Sequence, residues 1–410
     1  MKPSRRTLSP REAATQVAGQ LTDAGHETYF AGGCVRDRLL GLEPTDYDIA
    51  TNARPDVVAD IFPHARGVGA HFGVMLVPAG GHSIEVATFR SDGAYEDGRR
   101  PSEVIFGSAE ADANRRDFTI NGLFEHPHTG EVIDFVGGRS DLDARILRAI
   151  GAAEERIDED RLRMLRAVRF AARFSLEVDS STGTAITARA DQLGGVSRER
   201  VGHELRRMLG DDSRAVAGAL AESLGLDRSI LGASRIEDGR ARLEALSPGS
   251  DWIDGLAAWE LDRGTADLGT SSHRLEEALI LSNREKDDFI AILEIRAGIL
   301  HQWAESSLAA RKRLAGRPEF RRALVLAAID EPRIASEVTA EFERFQHEGL
   351  SPDPLIGGHD LLEAGLKAGP RFKTILDATY DAQLEGRIRH RAEAIEYALR
   401  MDPNRGSEGR

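Results

Sequence analysis

The sequence predicts an α/β domain over residues 1–150, followed by an all-helical remainder. Before residue 150, short apolar segments rich in β-branched and aromatic residues alternate with glycine-containing turns, which is typical of strands. Beyond residue 151, apolar residues recur at the spacing of amphipathic helices, and strand signals nearly vanish. Because 410 residues suffice for about two to four domains, a single small module is excluded.

The first domain is predicted to begin with a helix. Ser9-Pro10-Arg11-Glu12 supplies an N-cap residue, a proline at the first helical position and a glutamate at the third, and the apolar pattern extends to Gly25. A short helix is predicted at residues 55–62, and an Ala-Gly-Gly turn at 79–81 predicts a hairpin. The predicted strands are residues 28–31, 46–50, 73–77, 84–89 and 131–135.

The strongest helical pattern of the remainder covers residues 160–174, where leucine, valine and alanine fall on related faces. Proline- and glycine-containing segments at residues 247–250 and 350–354 predict linkers. Further helices are predicted at residues 198–209, 213–223, 274–300, 319–329, 359–367, 370–384 and 390–400.

Charge and cysteine content limit the partners and the compartment. The net charge of −14 disfavours indiscriminate binding to nucleic acid, so any nucleic-acid contact requires local clusters among the 54 basic residues. A single cysteine, Cys34, excludes an intramolecular disulfide framework and favours a reducing compartment. With neither a leader-like start nor an apolar run of membrane-spanning length, we expect a cytoplasmic protein with no membrane partner.

The first candidate site combines a glycine turn with two aspartates. Gly32 and Gly33 allow close backbone approach to a phosphate where a helix begins, and Arg36 follows them. On a strand, Asp46 and Asp48 point to the same side, where they repel each other unless a cation lies between them. Mg²⁺ suits such oxygen ligands. Taken alone, this Asp-x-Asp also fits a solvated strand edge.

Two further segments offer charged side chains of weaker specificity. Glu85, on a predicted hairpin strand, is either a third carboxylate beside the pair or a surface glutamate. Arg115 and Arg116 supply cations for a triphosphate, and Asp117 can accept a hydrogen bond from a ribose hydroxyl. Asn121 completes this segment, although a basic pair beside an acid is common on surfaces.

The long helix predicted at residues 160–174 begins with a pair of side chains able to read a base. Asp160 and Arg163 are three residues apart and therefore neighbours on one helical face. A carboxylate accepts from an exocyclic amine and a guanidinium donates to a ring acceptor, so the pair favours cytosine and adenine over uracil and guanine. The alternative is an ordinary salt bridge. Arg166 and Arg169 continue the helix.

In their order, these segments closely resemble the class II nucleotidyltransferases that mature tRNA 3′ ends. That group contains the CCA-adding enzymes with their A-adding and CC-adding relatives, and bacterial poly(A) polymerases share its N-terminal domain. The resemblance covers residues 31–170 and rests on six motifs. They begin at Ala31 (AGGCVRD), Asp46 (DYDIAT), Ile84 (IEVATFR), Arg115 (RRDFTIN), Ile133 (IDFVGG) and Glu159 (EDRLRMLRAVRF).

The resemblance implies roles for the reacting part of one active site. Asp46 and Asp48 would hold Mg²⁺ and activate the primer 3′-hydroxyl, with Glu85 as a further catalytic candidate. Gly32, Gly33 and Arg36 would contact the nucleotide. Arg115 and Arg116 would bind its phosphates, and Asp117 and Asn121 lie where the ribose is held.

Base selection is implied for the helix that follows. Asp160 and Arg163 would read the base, with Arg166 and Arg169 supporting nucleotide binding. The helix around residues 200–204 would stabilise them from behind. Tyr47, Arg161 and Gly122 depart from the commonest family pattern, although none of these changes removes a functional group, and Arg161 should face away from the base-reading pair.

The resemblance also implies the architecture and the partners. An α/β head with a nucleotidyltransferase-type mixed sheet and flanking helices would precede an all-α neck, body and tail in an elongated molecule. The partners would be tRNA, ATP and CTP, in an oligomeric state that the sequence does not give. The implied limits are 1–150 for the head, 151–225 for the neck, 226–350 for the body, 351–402 for the tRNA-binding tail and 403–410 for a frayed terminus.

The predicted function is addition of C, C and A to tRNA 3′ ends, with two alternatives inside the family. Residues 92–104 resemble the loop associated with switching from C to A addition, but an enzyme adding only the terminal A could have similar residues. Poly(A) polymerase is the other alternative, although residues 67–74 resemble the tRNA-type enzymes. A catalytically silent RNA-binding protein is a fourth possibility, which the two close aspartates disfavour.

Overall fold

The computed structural model describes residues 8–68, 73–92, 104–233, 241–264, 275, 278–366 and 368–401. The chain divides into two compact units, residues 1–233 with 274–280, and residues 234–273 with 281–410. The predicted limits of head, neck, body and tail remain predictions. Within the described residues, no helix combines the length and apolarity needed to span a membrane.

A seven-stranded mixed sheet forms the framework of the first unit. Its strand order is β3-β4-β5-β2-β1-β8-β9, with β2 and β5 parallel and every other neighbouring pair antiparallel. Two short ladders lie apart from it, β6 with β7 and β10 with β11. The strands are β1 (Thr28–Ala31), β2 (Ile49–Thr51), β3 (Arg66–Gly67), β4 (Val74–Ala79), β5 (His82–Thr88), β6 (Arg90–Asp92), β7 (Val104–Phe106), β8 (Leu123–Glu125), β9 (Val132–Asp134), β10 (Ile146–Leu147) and β11 (Glu177–Val178).

Helices pack against this sheet and continue beyond it. The first helix has the predicted capping box at Ser9 and Glu12, and it buries Val17 and Leu21 where it contacts the sheet. The helices are α1 (Pro10–Asp23), α2 (Gly33–Leu39), α3 (Pro55–Ile61), α4 (Ala109–Asn114), α5 (Gly138–Asp143), α6 (Ala153–Glu159), α7 (Arg163–Phe174), α8 (Ser180–Thr187), α9 (Arg198–Leu209), α10 (Arg214–Ser223) and α11 (Leu226–Leu231). Short 3₁₀ turns lie at Thr119–Asn121 and Ala190–Gly195.

Three aromatic side chains pack together at the centre of the sheet, next to the glycine turn that follows β1. Tyr29 on β1, Phe89 after β5 and Phe124 on β8 lie with ring centroids 6.0 to 6.1 Å apart. Phe89 and Phe124 are fully buried together with Ala31 and Ala50. The sheet is therefore rigid beneath the glycine turn that follows β1.

Two predicted elements differ from the observed ones in ways that matter for the site. The strand predicted at residues 46–50 begins only at Ile49, so Asp46 and Asp48 lie in the irregular segment before β2. The helix predicted at 160–174 begins at Arg163, because Asp160 is extended (φ −152°, ψ 101°) and its carboxylate accepts from the Leu162 N–H at 3.1 Å. Such local hydrogen bonds from Asp compete with helix formation.

The second unit consists of helices in its described residues. Trp303, Phe320, Phe342 and Phe345 pack together in one core, and a separate buried cluster around Leu361 and Ile375 lies nearer the C-terminus. The helix predicted at 274–300 begins at Asn283, where Ser282 forms a capping box. The helices are Ala241–Ala245, Trp252–Asp262, Asn283–His301, Leu308–Ala315, Phe320–Asp330, Pro332–Glu348, Gly358–Glu363, Arg371–Leu384 and Arg391–Arg400.

Candidate active site

A single cavity of about 910 Å³ in the first unit brings together every site residue predicted from the sequence. That volume is in the range of small-molecule ligand sites. Nine arginines and five acidic residues line the cavity, so it is locally cationic in a chain of net charge −14. The predicted residues on its wall are Gly32, Gly33, Arg36, Asp46, Asp48, Glu85, Arg115, Arg116, Asp117, Asn121, Asp160, Arg163, Arg166 and Arg169.

Three carboxylates gather where strands β2 and β5 begin to run parallel. Ile49 is in register with Val86, so the residues just before them, Asp48 and Glu85, are neighbours. The Asp48 carbonyl accepts from Ala31 N–H at 3.0 Å, which holds this segment against the end of β1. Desolvation by the surrounding walls, together with the negative charges of Glu85 and Asp46, raises the pKa of Asp48 to about 6 although Arg116 opposes the shift.

The Asp46 and Asp48 pair is the part of this group whose chemistry suits a divalent cation. Hard oxygen ligands suit Mg²⁺. The raised pKa of Asp48 reflects desolvation first and the neighbouring negative charges second, and a bound cation would favour the ionised form against both. Among the described residues, no group of three or more His, Cys, Asp or Glu side chains is arranged so that it could hold a metal ion. Two carboxylates with vacant positions for substrate oxygens are the usual protein contribution to a Mg²⁺ site.

The glycine turn after β1 is shaped around Arg116. Gly32 has φ +69°, and a Cβ placed there would lie 2.7 Å from the Arg116 Nη1 atom. Arg116 cannot easily yield, because it donates to the Asn121 carbonyl at 3.1 Å and to the Asp112 carboxylate at 2.8 Å. Arg115 shares Asp112, which is buried. Glycine at position 32 therefore leaves a guanidinium directly beside the turn.

Arg36 is buried at the start of α2 and is held from three sides. Its guanidinium donates to Asn121 Oδ1 at 2.6 Å and to Asp37 Oδ1 at 2.6 Å. It also lies over the rings of Phe170 and Phe174, at 5.1 and 4.3 Å from their centroids. The aromatic side chains of α7 thus fix an arginine of the glycine turn.

Asp117 links the α/β part of the unit to the helix α7. Its Oδ1 accepts from the Phe118 N–H at 2.8 Å and from Asn121 Nδ2 at 3.0 Å, and its Oδ2 accepts from Arg166 Nε at 2.8 Å. Burial alone would raise the pKa of this carboxyl, but Arg166 and the hydrogen bond from Asn121 lower it to about 2. Asp117 is therefore ionised and fully oriented at neutral pH.

Asp160 and Arg163 both line the cavity, but they are held by different partners. Arg200 on α9 grips both Asp160 oxygens, with Nη1–Oδ1 and Nη2–Oδ2 distances of 3.1 and 2.6 Å. Arg163 donates to Glu159 Oε2 at 2.5 Å and to the Arg156 carbonyl at 2.8 Å. The prediction that the pair shares one helical face is wrong, since Asp160 precedes α7.

Helix α9 supports α7 from behind, as the sequence predicts for residues 200–204. The buried Glu204 accepts from Arg169 Nε at 2.6 Å and lies 3.7 Å from Arg166 Nη1. Four charged or aromatic residues of the cavity were not among the predicted site residues: Arg90, Phe170, Arg173 and Arg207. Arg173 falls seven residues after Arg166 on α7, so helical periodicity could have found it; the approach of α9 has no comparable sequence signal.

The three departures from the family pattern have structural explanations. Gly122 packs so closely that a Cβ would lie 2.6 Å from Val136 Cγ2. Tyr47 is buried edge-on against Phe30, with centroids 5.2 Å apart. Arg161 donates to Gln192 at 2.8 Å and does not line the cavity, so it faces away from the base-reading pair as predicted.

Comparison with known proteins agrees with the geometry of this site. The sequence family described as the poly A polymerase head domain matches residues 28–148. A CCA-adding enzyme of Geobacillus stearothermophilus is 35% identical over 414 aligned residues, covering 97% of this chain and 98% of that protein. The chain belongs to the CCA-adding enzyme family. Another family member, from Lactobacillus delbrueckii subsp. bulgaricus, is 32% identical over 93% of this chain and 96% of that protein.

Solved structures of the CCA-adding enzyme family share this fold. The Bacillus stearothermophilus CCA-adding enzyme in complex with CTP superposes with a TM-score of 0.80 and 30% identity, covering 100% of this chain and 99% of that one. A Thermotoga maritima CCA-adding enzyme complexed with tRNA, at 18% identity and a TM-score of 0.68, shows the fold alone. The predicted family and the predicted mixed-sheet head followed by helices are confirmed.

Proposed function

We propose that this chain adds C, C and A in turn to the 3′ end of tRNA, using CTP and ATP and releasing pyrophosphate. One observation supports this above the others: a single cavity contains both the carboxylates Asp46 and Asp48 and the base-reading candidates Asp160 and Arg163. The similarity to a CCA-adding enzyme in complex with CTP supports a nucleotide in this cavity.

The phosphate-binding part of the cavity lies around the glycine turn. Arg116 beside Gly32 and the neighbouring Arg115 offer guanidinium groups to a triphosphate. Arg36 contributes further positive charge from a fixed position. Asp117 and Asn121, which are hydrogen-bonded to each other, lie where the ribose would be oriented. These residues would bind the nucleoside triphosphate and position its α-phosphorus for attack. Such positioning supplies much of the rate enhancement in nucleotidyl transfer.

Asp46 and Asp48 would hold Mg²⁺, which would lower the charge on the reacting oxygens and favour ionisation of the attacking hydroxyl. In the reaction, the RNA 3′-oxygen forms a bond to the α-phosphorus while the bond from that phosphorus to the pyrophosphate oxygen breaks. The hydroxyl proton passes to solvent water, and the pyrophosphate leaves with the bonding electrons of the broken P–O bond. Glu85 lies close enough to Asp48 to raise its pKa, so Glu85 would adjust the charge of the pair.

Base choice is assigned to Asp160 and Arg163. The Asp160 carboxylate would accept from the exocyclic amine that cytosine and adenine share, and Arg163 would donate to the adjacent ring acceptor. Uracil and guanine present a carbonyl where that amine is needed, so each would leave a carboxylate facing an oxygen. Arg166 and Arg169, both anchored to acids, would keep α7 in place.

Binding of tRNA by an acidic chain requires local positive potential. The cavity provides it at the reacting end, and the predicted tail at residues 351–402 is our proposed second contact. Affinity for tRNA should fall steeply with salt, because phosphate contacts release counterions. Binding that does not change with salt would contradict this. We also propose that the protein acts in the cytoplasm, where its tRNA substrate is processed; fractionation of cells expressing the natural protein tests this.

The test supplies the protein with Mg²⁺, CTP and ATP, and with tRNA lacking either the whole CCA end or only its last A. Sequencing of the products should show C, C and A on the first substrate and a single A on the second. A added only to the second substrate would identify an A-adding enzyme, and long A tails would identify a poly(A) polymerase. Binding of tRNA without incorporation would identify a silent RNA-binding protein. Of the loop at residues 92–104, whose resemblance predicts a role in switching from C to A addition, residues 93–103 lie outside the described residues.

A further inference from the structure

Two arginines that the helices α7 and α9 contribute to the cavity wall take no part in the site as assigned above. Arg173 lies at the C-terminal end of α7 and Arg207 on α9, and these two helices pack against each other. Both residues are exposed, and both line the cavity. The positions Arg166, Arg169 and Arg173 follow one face of α7 at helical spacing, as Arg200 and Arg207 do on α9.

Along these two rows, the arginines nearer the helix N-termini are paired with acids. Of the two last arginines, one has no partner among the described residues and the other has an acid only at the distance limit of an ion pair. Arg166 is paired with Asp117, and Arg169 with Glu204. Arg207 forms no hydrogen bond or ion pair with any residue that the structure describes. Arg173 has Asp211 at 4.0 Å, the outer limit for an ion pair, with about half of the arginine side chain exposed.

The same two arginines lie beside other positive charges. Burial lowers the pKa of Arg36, Asp37 opposes this, and the charge of Arg173 lowers it further. Burial likewise lowers the pKa of Arg169, where Arg207 acts in the same direction against Glu204. Guanidinium groups held close together without enough acid are mutually repulsive, and a polyanion that binds between them removes that repulsion.

We propose that Arg173 and Arg207 form a phosphate-binding rim of the cavity. This inference rests on the proposed function, and the shared chemistry is a phosphate oxygen accepting from two guanidinium groups. Two sources can supply it, the triphosphate of the incoming nucleotide or the phosphodiester backbone at the 3′ end of the RNA primer. The planar fork of arginine suits either source.

The experiment uses the full chain with Arg173→Gln, Arg207→Gln and the double substitution. Arg139→Gln is the matched control, because Arg139 is an exposed arginine of the same unit that does not line the cavity. KM for CTP is measured at saturating tRNA, KM for tRNA at saturating CTP, and equilibrium binding of each ligand separately. Thermal unfolding of every variant checks that the exposed substitutions leave the fold intact.

The double variant should raise one KM about tenfold with kcat little changed. A rise in KM for CTP assigns the rim to the triphosphate. A rise in KM for tRNA, with a decrease of about 0.7 per lost contact in the slope of log affinity against log salt, assigns it to the RNA backbone. Arg173→Lys and Arg207→Lys should retain part of the wild-type affinity for phosphate, because the positive charge remains.

If the double variant has KM values for CTP and for tRNA that are both within twofold of the wild-type values, the proposed phosphate-binding rim is wrong. Equal losses in the Arg139→Gln control would also overturn it, since they would reflect overall charge alone. If the wild-type chain fails to incorporate nucleotides, the proposed function fails. The rim is then judged by equilibrium binding of CTP and tRNA, where unchanged affinity in the double variant would overturn it.

Discussion

Arg166 on α7 grips the buried carboxylate of Asp117, with Nε and Nη2 at 2.8 and 2.7 Å from the same Oδ2 atom. The two residues are 49 positions apart, and their pairing fixes α7 to the segment that follows Arg115 and Arg116. Since Asp117 also binds Asn121, one carboxylate connects the ribose-binding candidates to α7. The proposed nucleotide site is thereby cross-linked by hydrogen bonds from the α/β part of the unit to α7.

The Asp117–Arg166 pair should make stability depend on acid pH. The pKa of Asp117 is about 2 in the folded protein against 3.8 ordinarily, so the folded state binds the proton less readily than the unfolded state. Its contribution is present above pH 4 and is lost as pH falls towards 2. At neutral pH this pKa shift contributes about 2 kcal/mol to the free energy of unfolding, and about 1 kcal/mol of that contribution should be lost by pH 3. Urea unfolding between pH 6 and pH 3 measures the free energy of unfolding of the wild type and of Asp117→Asn. The difference between the two should become smaller as the pH falls; a difference that stays constant would contradict the stabilising role of ionised Asp117.

Gly32→Ala should impair nucleotide binding through Arg116. The added Cβ would lie 2.7 Å from the Arg116 Nη1 atom and would push the guanidinium off the Asn121 carbonyl. We expect kcat/KM for CTP to fall at least about tenfold. Gly41→Ala is the matched control, because Gly41 also has positive φ (+75°) but nothing lies within 4 Å of its Cβ position. Gly32 also has ψ −117°, outside the left-handed helical region that residues with a Cβ can adopt, so its alanine variant carries the greater backbone strain as well. An equal loss of activity in the two variants would contradict the steric account.

Arg156 should influence base choice without lining the cavity. It donates to Glu159 at 3.0 Å and to the Ile150 carbonyl at 3.0 Å, and its own carbonyl accepts from Arg163. Arg156→Ala should therefore loosen Arg163 and raise incorporation of UTP relative to CTP, while KM for tRNA stays unchanged. A double-mutant cycle with Arg163→Ala should be non-additive.

Arg161→Ala is the control for that cycle, since Arg161 lies in the same motif but faces Gln192. Discrimination between CTP and UTP should be unchanged in this variant. If Arg156→Ala also leaves discrimination unchanged while lowering only the melting temperature, Arg156 is a structural residue and the positioning role is wrong.

Cys34 should be unreactive in the folded protein. It is 5% exposed, and burial together with the nearby charge of Asp48 raises the pKa of its thiol to about 12. At pH 8 only about one thiol in ten thousand would be ionised, and reagents attack the thiolate. A colorimetric disulfide reagent should detect no thiol in the native chain and one after denaturation, because the sequence has a single cysteine. Stoichiometric reaction of the native protein would contradict the burial of the glycine turn.

The residues that sequence reasoning selected line one cavity, and they could be selected because they belong to short motifs in a fixed order. Sequence reasoning was less accurate about where helices and strands begin, because local hydrogen bonds decide those limits. Asp160 terminates α6 by bonding the Leu162 N–H, a choice that helical periodicity does not encode. Likewise, hydrophobic alternation placed Asp46 within a strand, whereas the hydrogen-bonded ladder begins only at Ile49.

Sequence reasoning also could not predict which side chains meet when helices that are distant in the sequence pack together. Arg207 reaches the cavity only because α9 packs on α7, and no pattern within α9 distinguishes it from its neighbour Arg206, which instead bonds the Ile280 carbonyl. Arg200 gripping Asp160 was anticipated only in outline, through the family resemblance. Tertiary approach, rather than local propensity, decided both positions.

The central claim is that Asp46 and Asp48 perform nucleotidyl transfer, and the most direct measurement pairs turnover with binding in Asp48→Asn. The account predicts that single-turnover addition of C to tRNA falls at least about a thousandfold while tRNA affinity stays within twofold. Glu43→Gln, an exposed acid nearby that does not line the cavity, should keep full activity. An Asp48→Asn variant that still extends tRNA at the wild-type rate would contradict the account.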